Sequence, residues 1–223
     1  MVYLYGPSSG SGYTKIIHWL DDGSVTDFNI TGLHPVNGQY PGILPLDEHS
    51  FLCFLSDNFS SYPPKIVTLN DDYTEASIQA LSTSGSASSK EGYGGVKIVH
   101  LKDDLYLYGV LNENSSYKDV VYAFRLDLEN NSLKRLCYYD LPEYSVSATG
   151  PTHIMAFDNN VFIYILRGIL YTLIYNEETN KILEYLPPLT LTGSMGSSTI
   201  AKIDNTKMFI NLAGNIYIYN VET

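Results

Sequence analysis

The chain has only two cysteines in 223 residues, Cys53 and Cys137, so it is not a disulfide-stapled secreted module. Each lies in an apolar run, which predicts a buried free thiol, and no Cys-x-x-Cys or Cys/His spacing offers a zinc site. Basic residues are scarce too: 13 Lys and Arg stand against 24 Asp and Glu, a formal net charge of −11. Nucleic acids and anionic membranes both demand basic patches, so the balance argues against either as a partner. The simplest use of the acidity is solubility. No apolar stretch approaches the ~18 residues of a membrane span. Met1-Val2-Tyr3-Leu4-Tyr5-Gly6 has neither the basic nor the apolar region of a signal peptide. We expect no membrane insertion, and the cytoplasm is favoured over the extracellular space. The sequons at Asn29, Asn58, Asn114 and Asn130 are no more than chance supplies in a chain rich in Asn, Ser and Thr.

Catalytic signatures are also missing. There is no Gly-x-Ser-x-Gly elbow, no His-Glu-x-x-His, no phosphate-binding loop and no EF-hand loop. The histidines His18, His34, His49, His100 and His153 are scattered singly, and a lone His in a strand is most often structural. Helical periodicity is almost absent. Apolar residues alternate, or run for four to seven positions, and stop at Gly, Asn, Asp, Ser or Pro.

What the chain does have is a repeated punctuation mark. A short apolar strand runs into an Asp-led turn, and a Tyr-rich strand leaves it. The turn recurs as Leu46-Asp47-Glu48-His49, Leu101-Lys102-Asp103-Asp104, Phe157-Asp158-Asn159-Asn160 and Ile203-Asp204-Asn205-Thr206. Its period of roughly fifty residues points to stacked β units, above all propeller blades. Strands apolar on both faces need cover on both sides, which radial stacking supplies; a sandwich is the competing all-β arrangement. The fold class expected is all-β, a propeller of four-stranded antiparallel blades. About five blades are represented, near residues 1–32, 42–81, 95–138, 152–186 and 198–223, in a single domain or part of a larger propeller. The first lacks its inner strand and the last its outer one, so the ring is expected to be unfinished unless a partner or a second copy completes it. The Ser- and Gly-rich stretch Ser82 to Gly95 reads as a surface loop.

Three segments resemble kelch-type repeats, the propeller group that includes the galactose-oxidase central domain. They are Asp103-Asp104-Leu105-Tyr106-Leu107-Tyr108-Gly109, Asp119-Val120-Val121-Tyr122-Ala123-Phe124-Arg125-Leu126-Asp127 and Asn215-Ile216-Tyr217-Ile218-Tyr219-Asn220-Val221. The chain departs from the pattern where Val110 replaces the second glycine and where Leu133 and Ile182 replace the expected Trp. A copper site like that of galactose oxidase would need clustered Tyr and His with a crosslinking Cys, and nothing specifies such a cluster. No metal or other cofactor is expected.

Propeller glycosidases need two carboxylates facing each other across a sugar. The predicted inner strands, Gly42 to Leu46, Val96 to Leu101, Thr152 to Phe157 and Thr199 to Ile203, contain no Asp or Glu; they offer Lys97, His100, His153 and Lys202. The turn aspartates are expected to bind nearby backbone. The connections between second and third strands, and between successive blades, are long, whereas those at the other end are short Asp/Asn turns. Loops on a rigid scaffold carry function, so the candidate binding residues are Tyr13, Tyr40, Phe59, Tyr62, Tyr93, Tyr117 and Tyr144, with His34, His153 and Arg167 beside them. The expectation is a non-catalytic binding module with a protein partner. The alternatives are a lectin-like or glycan-active propeller, and a structural piece of a larger assembly such as a virion or surface complex.

Overall fold

A computed structural model describes residues 2–5, 13–19, 24–30, 33, 42–54, 63–85, 94–112, 119–142, 153–166, 168–192, 198–212 and 214–222. Among them there is no helix. The strands form five sheets in sequence order. The first holds β1 (Val2–Tyr5), β2 (Tyr13–Trp19) and β3 (Val25–Ile30). The second holds β4 (Gly42–Pro45), β5 (Ser50–Phe54), β6 (Lys65–Leu69) and β7 (Ala76–Ala80). A short strand β8 (Ser82–Gly85) leads to the third sheet, β9 (Gly94–Lys102), β10 (Leu105–Asn112), β11 (Val120–Asp127) and β12 (Ser132–Asp140). The fourth holds β13 (His153–Ala156), β14 (Val161–Leu166), β15 (Ile169–Asn176) and β16 (Lys181–Thr190). The last holds β17 (Ser198–Lys202), β18 (Lys207–Leu212) and β19 (Asn215–Asn220). Within each sheet these strands pair antiparallel in order, which is the meander of a propeller blade. The fold is a β-propeller whose first and last blades show three strands each among the described residues.

The two-faced strands explain the stacking. On β10, Leu105 and Leu107 join the core shared with the fourth sheet, while Tyr106 and Tyr108 point the other way, towards Phe54 and Leu52 of the second. On β14, Phe162, Tyr164 and Leu166 face the third sheet, and Val161, Ile163 and Ile165 face Met208, Ile210 and Leu212 of the last. The second sheet turns Phe51, Cys53, Val67 and Leu69 towards Ile30 and Leu33. Side chains alternate across a strand with period two, so one apolar run feeds two cores. Each large side chain so buried contributes on the order of 1.5–3 kcal/mol.

Much of the tyrosine content belongs to these interfaces. Tyr108, Tyr122, Tyr164 and Tyr171 are fully buried. Tyr108 and Tyr122 stack with centroids 4.6 Å apart, and Tyr108 meets Phe54 of the preceding blade at 5.2 Å. Tyr219 Oη pairs with buried Thr172 Oγ1 at 2.8 Å, and Tyr217 Oη donates to the Thr192 carbonyl at 2.7 Å. Both contacts tie β19 back to the fourth blade. Gly109, in the kelch-like segment, marks the closest approach between the third and fourth blades. A Cβ there would sit 2.2 Å from the Tyr164 ring.

Two of the four turns, those of Asp47 and Asp204, bear out the reading of their aspartates. Asp47 Oδ1 accepts from the His49 and Ser50 amides at 2.8 and 2.6 Å, and Asp204 Oδ1 from those of Thr206 and Lys207, both at 2.8 Å. These bonds hold both carboxyls below the usual carboxylate value. Asp103, Asn159 and Asn160 adopt left-handed backbone, with φ of 44°, 59° and 62°. A second punctuation mark closes each third strand: Asn70, Asp127, Asn176 and Asn220 all accept from backbone amides just downstream. Cys53 is buried and burial pushes its thiol up to about 12, so it is inert; Cys137 is half-buried and pushed up to about 11.

One feature differs from expectation. Residues 82–85 are not loop. As β8 they pair parallel with Ser132 to Arg135, adding a fifth strand outside β12; residues 86–93 lie outside the described set. The ladder needs backbone rather than apolar side chains, which is why a Ser/Gly composition conceals it. It also needs Gly85, at φ 95°, where a Cβ would lie 1.9 Å from the Arg135 carbonyl oxygen. The far face of β19 is open: Ile216 and Ile218 are 65% and 61% exposed.

Two substitutions separate covered from open faces. Gly109→Ala forces the buried Tyr164 ring to move and is expected to cost about 1–3 kcal/mol. Ile218→Lys is expected to stay within about 0.5 kcal/mol of the parent. Urea denaturation of both variants checks this, and a large loss from Ile218→Lys would mean that the outer face of β19 is covered.

Candidate functional site

The first strand of each later blade is its inner strand. β9 lies against both β4 and β13, so these strands gather at the centre while β12 and β16 meet further out. All run in the same sense, from the end where the long inter-blade connections enter to the end marked by the Asp turns. As read from the sequence, these four strands contain no carboxylate. Their charged or titratable residues are Lys97, His100, Lys102, His153 and Lys202.

These residues divide between the two ends. At the turn end, His100 Nε2 lies 2.9 Å from the Asp103 carbonyl oxygen and its ring packs on Tyr106. Lys102 pairs with Glu177, and Lys202 Nζ sits 5.3 Å from the Phe157 ring centroid. These contacts pin turns and neighbouring strands. At the entry end, His153 opens β13 and Ser198 opens β17, and His153 Nε2 lies 2.7 Å from Ser198 Oγ. Lys97 on β9 is exposed. The site at this mouth is therefore one imidazole, one hydroxyl and one ammonium from three successive inner strands.

His153 is half-buried, and its pKa lies below the ordinary value of 6.5. Desolvation is the larger cause and the Lys97 ammonium the second, while a hydrogen bond to the Ser198 backbone opposes both. The ring is thus held uncharged at neutral pH. An uncharged imidazole beside a hydroxyl can orient that hydroxyl in either direction, according to which nitrogen carries the proton.

Among the residues read as binding candidates, His153 is the one whose side chain is described here. Tyr13 begins β2, opposite Tyr5. His34, Tyr40, Phe59, Tyr62, Tyr93, Tyr117, Tyr144 and Arg167 lie outside the described residues. Ser198 is the member that sequence reasoning missed. It follows the connection from β16, which runs on as strand to Thr190 where the sequence suggested a loop from Pro187, and its only signal was its place at the head of an inner strand. At the opposite end, a cavity of ≈ 390 Å³ is lined by Ile43, Pro45, Phe51 and Leu69 under Asp47, Glu48 and His49. His49 stacks on Tyr73 there with centroids 4.9 Å apart. Among the described residues, no group of His, Cys, Asp and Glu is placed to hold a metal ion.

No family model matches the chain, and no curated protein matches it in sequence. Solved structures do match in fold. A protein from Lactobacillus plantarum superposes with a TM-score of 0.55 at 12% identity, over 90% of this chain and 57% of that one. A candidate 6-phosphogluconolactonase from Bacteroides fragilis gives a TM-score of 0.51 at 12% identity, over 86% of this chain and 54% of that one. The C-terminal WD40 domain of Sif2 aligns at a TM-score of 0.46 and 13% identity, over 82% of this chain and 46% of that domain. The chain thus spans about half the length of these solved proteins. The likeness is one of fold. The kelch resemblance finds no matching family model.

The His153 environment carries a pH signature. Because its pKa is depressed in the fold, the unfolded chain takes up the proton first as pH falls. The stability it contributes is complete above about pH 6.5 and is lost as pH drops through the folded-state value. Thermal melts between pH 7 and pH 5 should show a decline in Tm that is shallower in His153→Gln. Parallel slopes would refute this environment for His153.

Proposed function

We propose that the chain is a non-catalytic binding module that engages a protein partner through the end where the long connections emerge. The observation that carries this reading is the contrast between the two ends. One is closed by short turns whose Asp and Asn side chains are consumed by their own backbone. The other is the end where the longer connections leave the described strands, with tight turns there only between β14 and β15 and between β18 and β19, and Lys97, His153 and Ser198 stand free of any structural turn. The Tyr-rich connections add aromatic contact area at low entropic cost. With Tyr40, Tyr93 and Tyr144 all replaced by Ala, affinity for the physiological partner should fall at least about 100-fold, the loss of two or more ordinary hot spots. Tm should stay nearly unchanged. Undiminished binding by the triple variant would refute the long-connection end as the docking face.

Two further readings each rest on one observation. The polar mouth, with its imidazole and hydroxyl, favours a lectin-like or glycan-active propeller; silence in both a glycan array and a hydrolysis screen would remove it. The exposed Ile216 and Ile218 favour a structural piece of a larger assembly. Light scattering at rising concentration tests that, since a persistent monomer contradicts it.

A further inference from the structure

We propose that the mouth formed by Lys97, His153 and Ser198 is an oxyanion site that takes the carboxylate or phosphate group of a ligand. This rests on the reading that the long-connection end is the binding face, and it assigns that face a chemistry. The chain as a whole is strongly acidic, at −11, yet its four inner strands carry no Asp or Glu. Among the described residues, these strands therefore carry cations and no carboxylate in an otherwise acidic chain. The strands packed around His153 are β9, β14 and β17. They bring Lys97, His100, Lys102 and Lys202 and no carboxylate. Lys102 and Lys202 are engaged at the turn end by Glu177 and by the Phe157 ring, and His100 by the Asp103 carbonyl. That leaves Lys97 as the inner-strand cation at the mouth.

The donors are arranged for such a group. In the tautomer with its proton on Nε2, His153 donates across 2.7 Å to Ser198 Oγ, and the Ser198 hydroxyl hydrogen is free to point outwards. Lys97 supplies a charge-assisted donor from the neighbouring strand. The strand backbone and the 2.7 Å contact fix His153 and Ser198, and the flexible stem of exposed Lys97 lets its ammonium swing towards an oxygen held there. The net charge of −11 repels anions at long range, so only the local donors favour entry. An anion at the mouth also reverses the balance at His153, where burial and Lys97 now disfavour the imidazolium.

The test is an NMR titration of the His153 imidazole in the whole chain, at constant ionic strength, with inorganic phosphate in one arm and acetate in the other. The expected result is a saturable shift of the His153 ring resonance, and a rise in its titration midpoint when the anion is bound. Lys97→Gln should weaken the effect about tenfold, the loss of one charge-assisted contact, and Ser198→Ala should weaken it by a smaller factor. Lys202→Gln, at the far end, should leave it unchanged. Saturation by phosphate alone assigns a phosphate-bearing ligand, and saturation by acetate a carboxylate. The absence of a saturable shift in both arms would overturn the proposal, as would an equal shift in Lys97→Gln. The Tyr40/Tyr93/Tyr144 variant should bind the anion normally. Loss of partner binding without loss of the anion response therefore separates failure of one reading from failure of the other.

Discussion

A strand that is apolar on both faces must be covered twice, and this constraint organises the molecule. Val161-Phe162-Ile163-Tyr164-Ile165-Leu166 is buried at every position. No single sheet can satisfy it, since each neighbour covers only alternate residues. Face-to-face stacking of sheets on both sides is the solution. The clusters that contain Phe162 and Ile163 are accordingly different ones, shared with different blades. Packing between blades sets the finer choices. Gly109 admits the Tyr164 ring, and the Tyr219 hydroxyl reaches across to Thr172 of the neighbouring blade.

The same constraint leaves edges to be managed, and the blades differ in how they do it. The third blade covers β12 with the parallel strand β8. The fourth ends in β16, an outer strand that carries Lys181, Glu184, Pro187 and Pro188, the residue types that discourage further pairing. β19 has no such residue within Asn215–Asn220, and its outward isoleucines are exposed. Polar links reinforce the outer contact of the third and fourth blades, where Tyr139 Oη donates to Glu184 at 2.8 Å and Asn180 to the Leu136 carbonyl at 3.3 Å. Stability therefore grades along the chain, from the doubly covered middle blades to the singly covered last one.

Most of this architecture was legible because it rests on periodicity and turn chemistry. The Asp-led turns gave the phase of each blade, and their side-chain-to-backbone bonds at Asp47 and Asp204 are local events that a sequence displays. β8 was not legible, because a ladder along Ser82–Gly85 uses backbone groups that every sequence has. The site was legible in part. His153 could be singled out as a polar residue on an inner strand. Its partner Ser198 is far off in sequence, and only the stacking of two blades brings them together. The abundance of tyrosine pointed equally to surface and to core, and burial assigns Tyr108, Tyr122, Tyr164 and Tyr171 to the core.

The His153–Ser198 pair sits at one end of the inner strands, held in place by cores that lie away from it. The central claim is that each blade is stabilised by the neighbours that cover its two faces. Native-state hydrogen exchange of the whole chain tests it most directly. The account predicts that amides of β10, β14 and β15 exchange only through global unfolding, while those of β19 exchange through local opening at far lower free energy. Protection of β19 equal to that of β14 would contradict it.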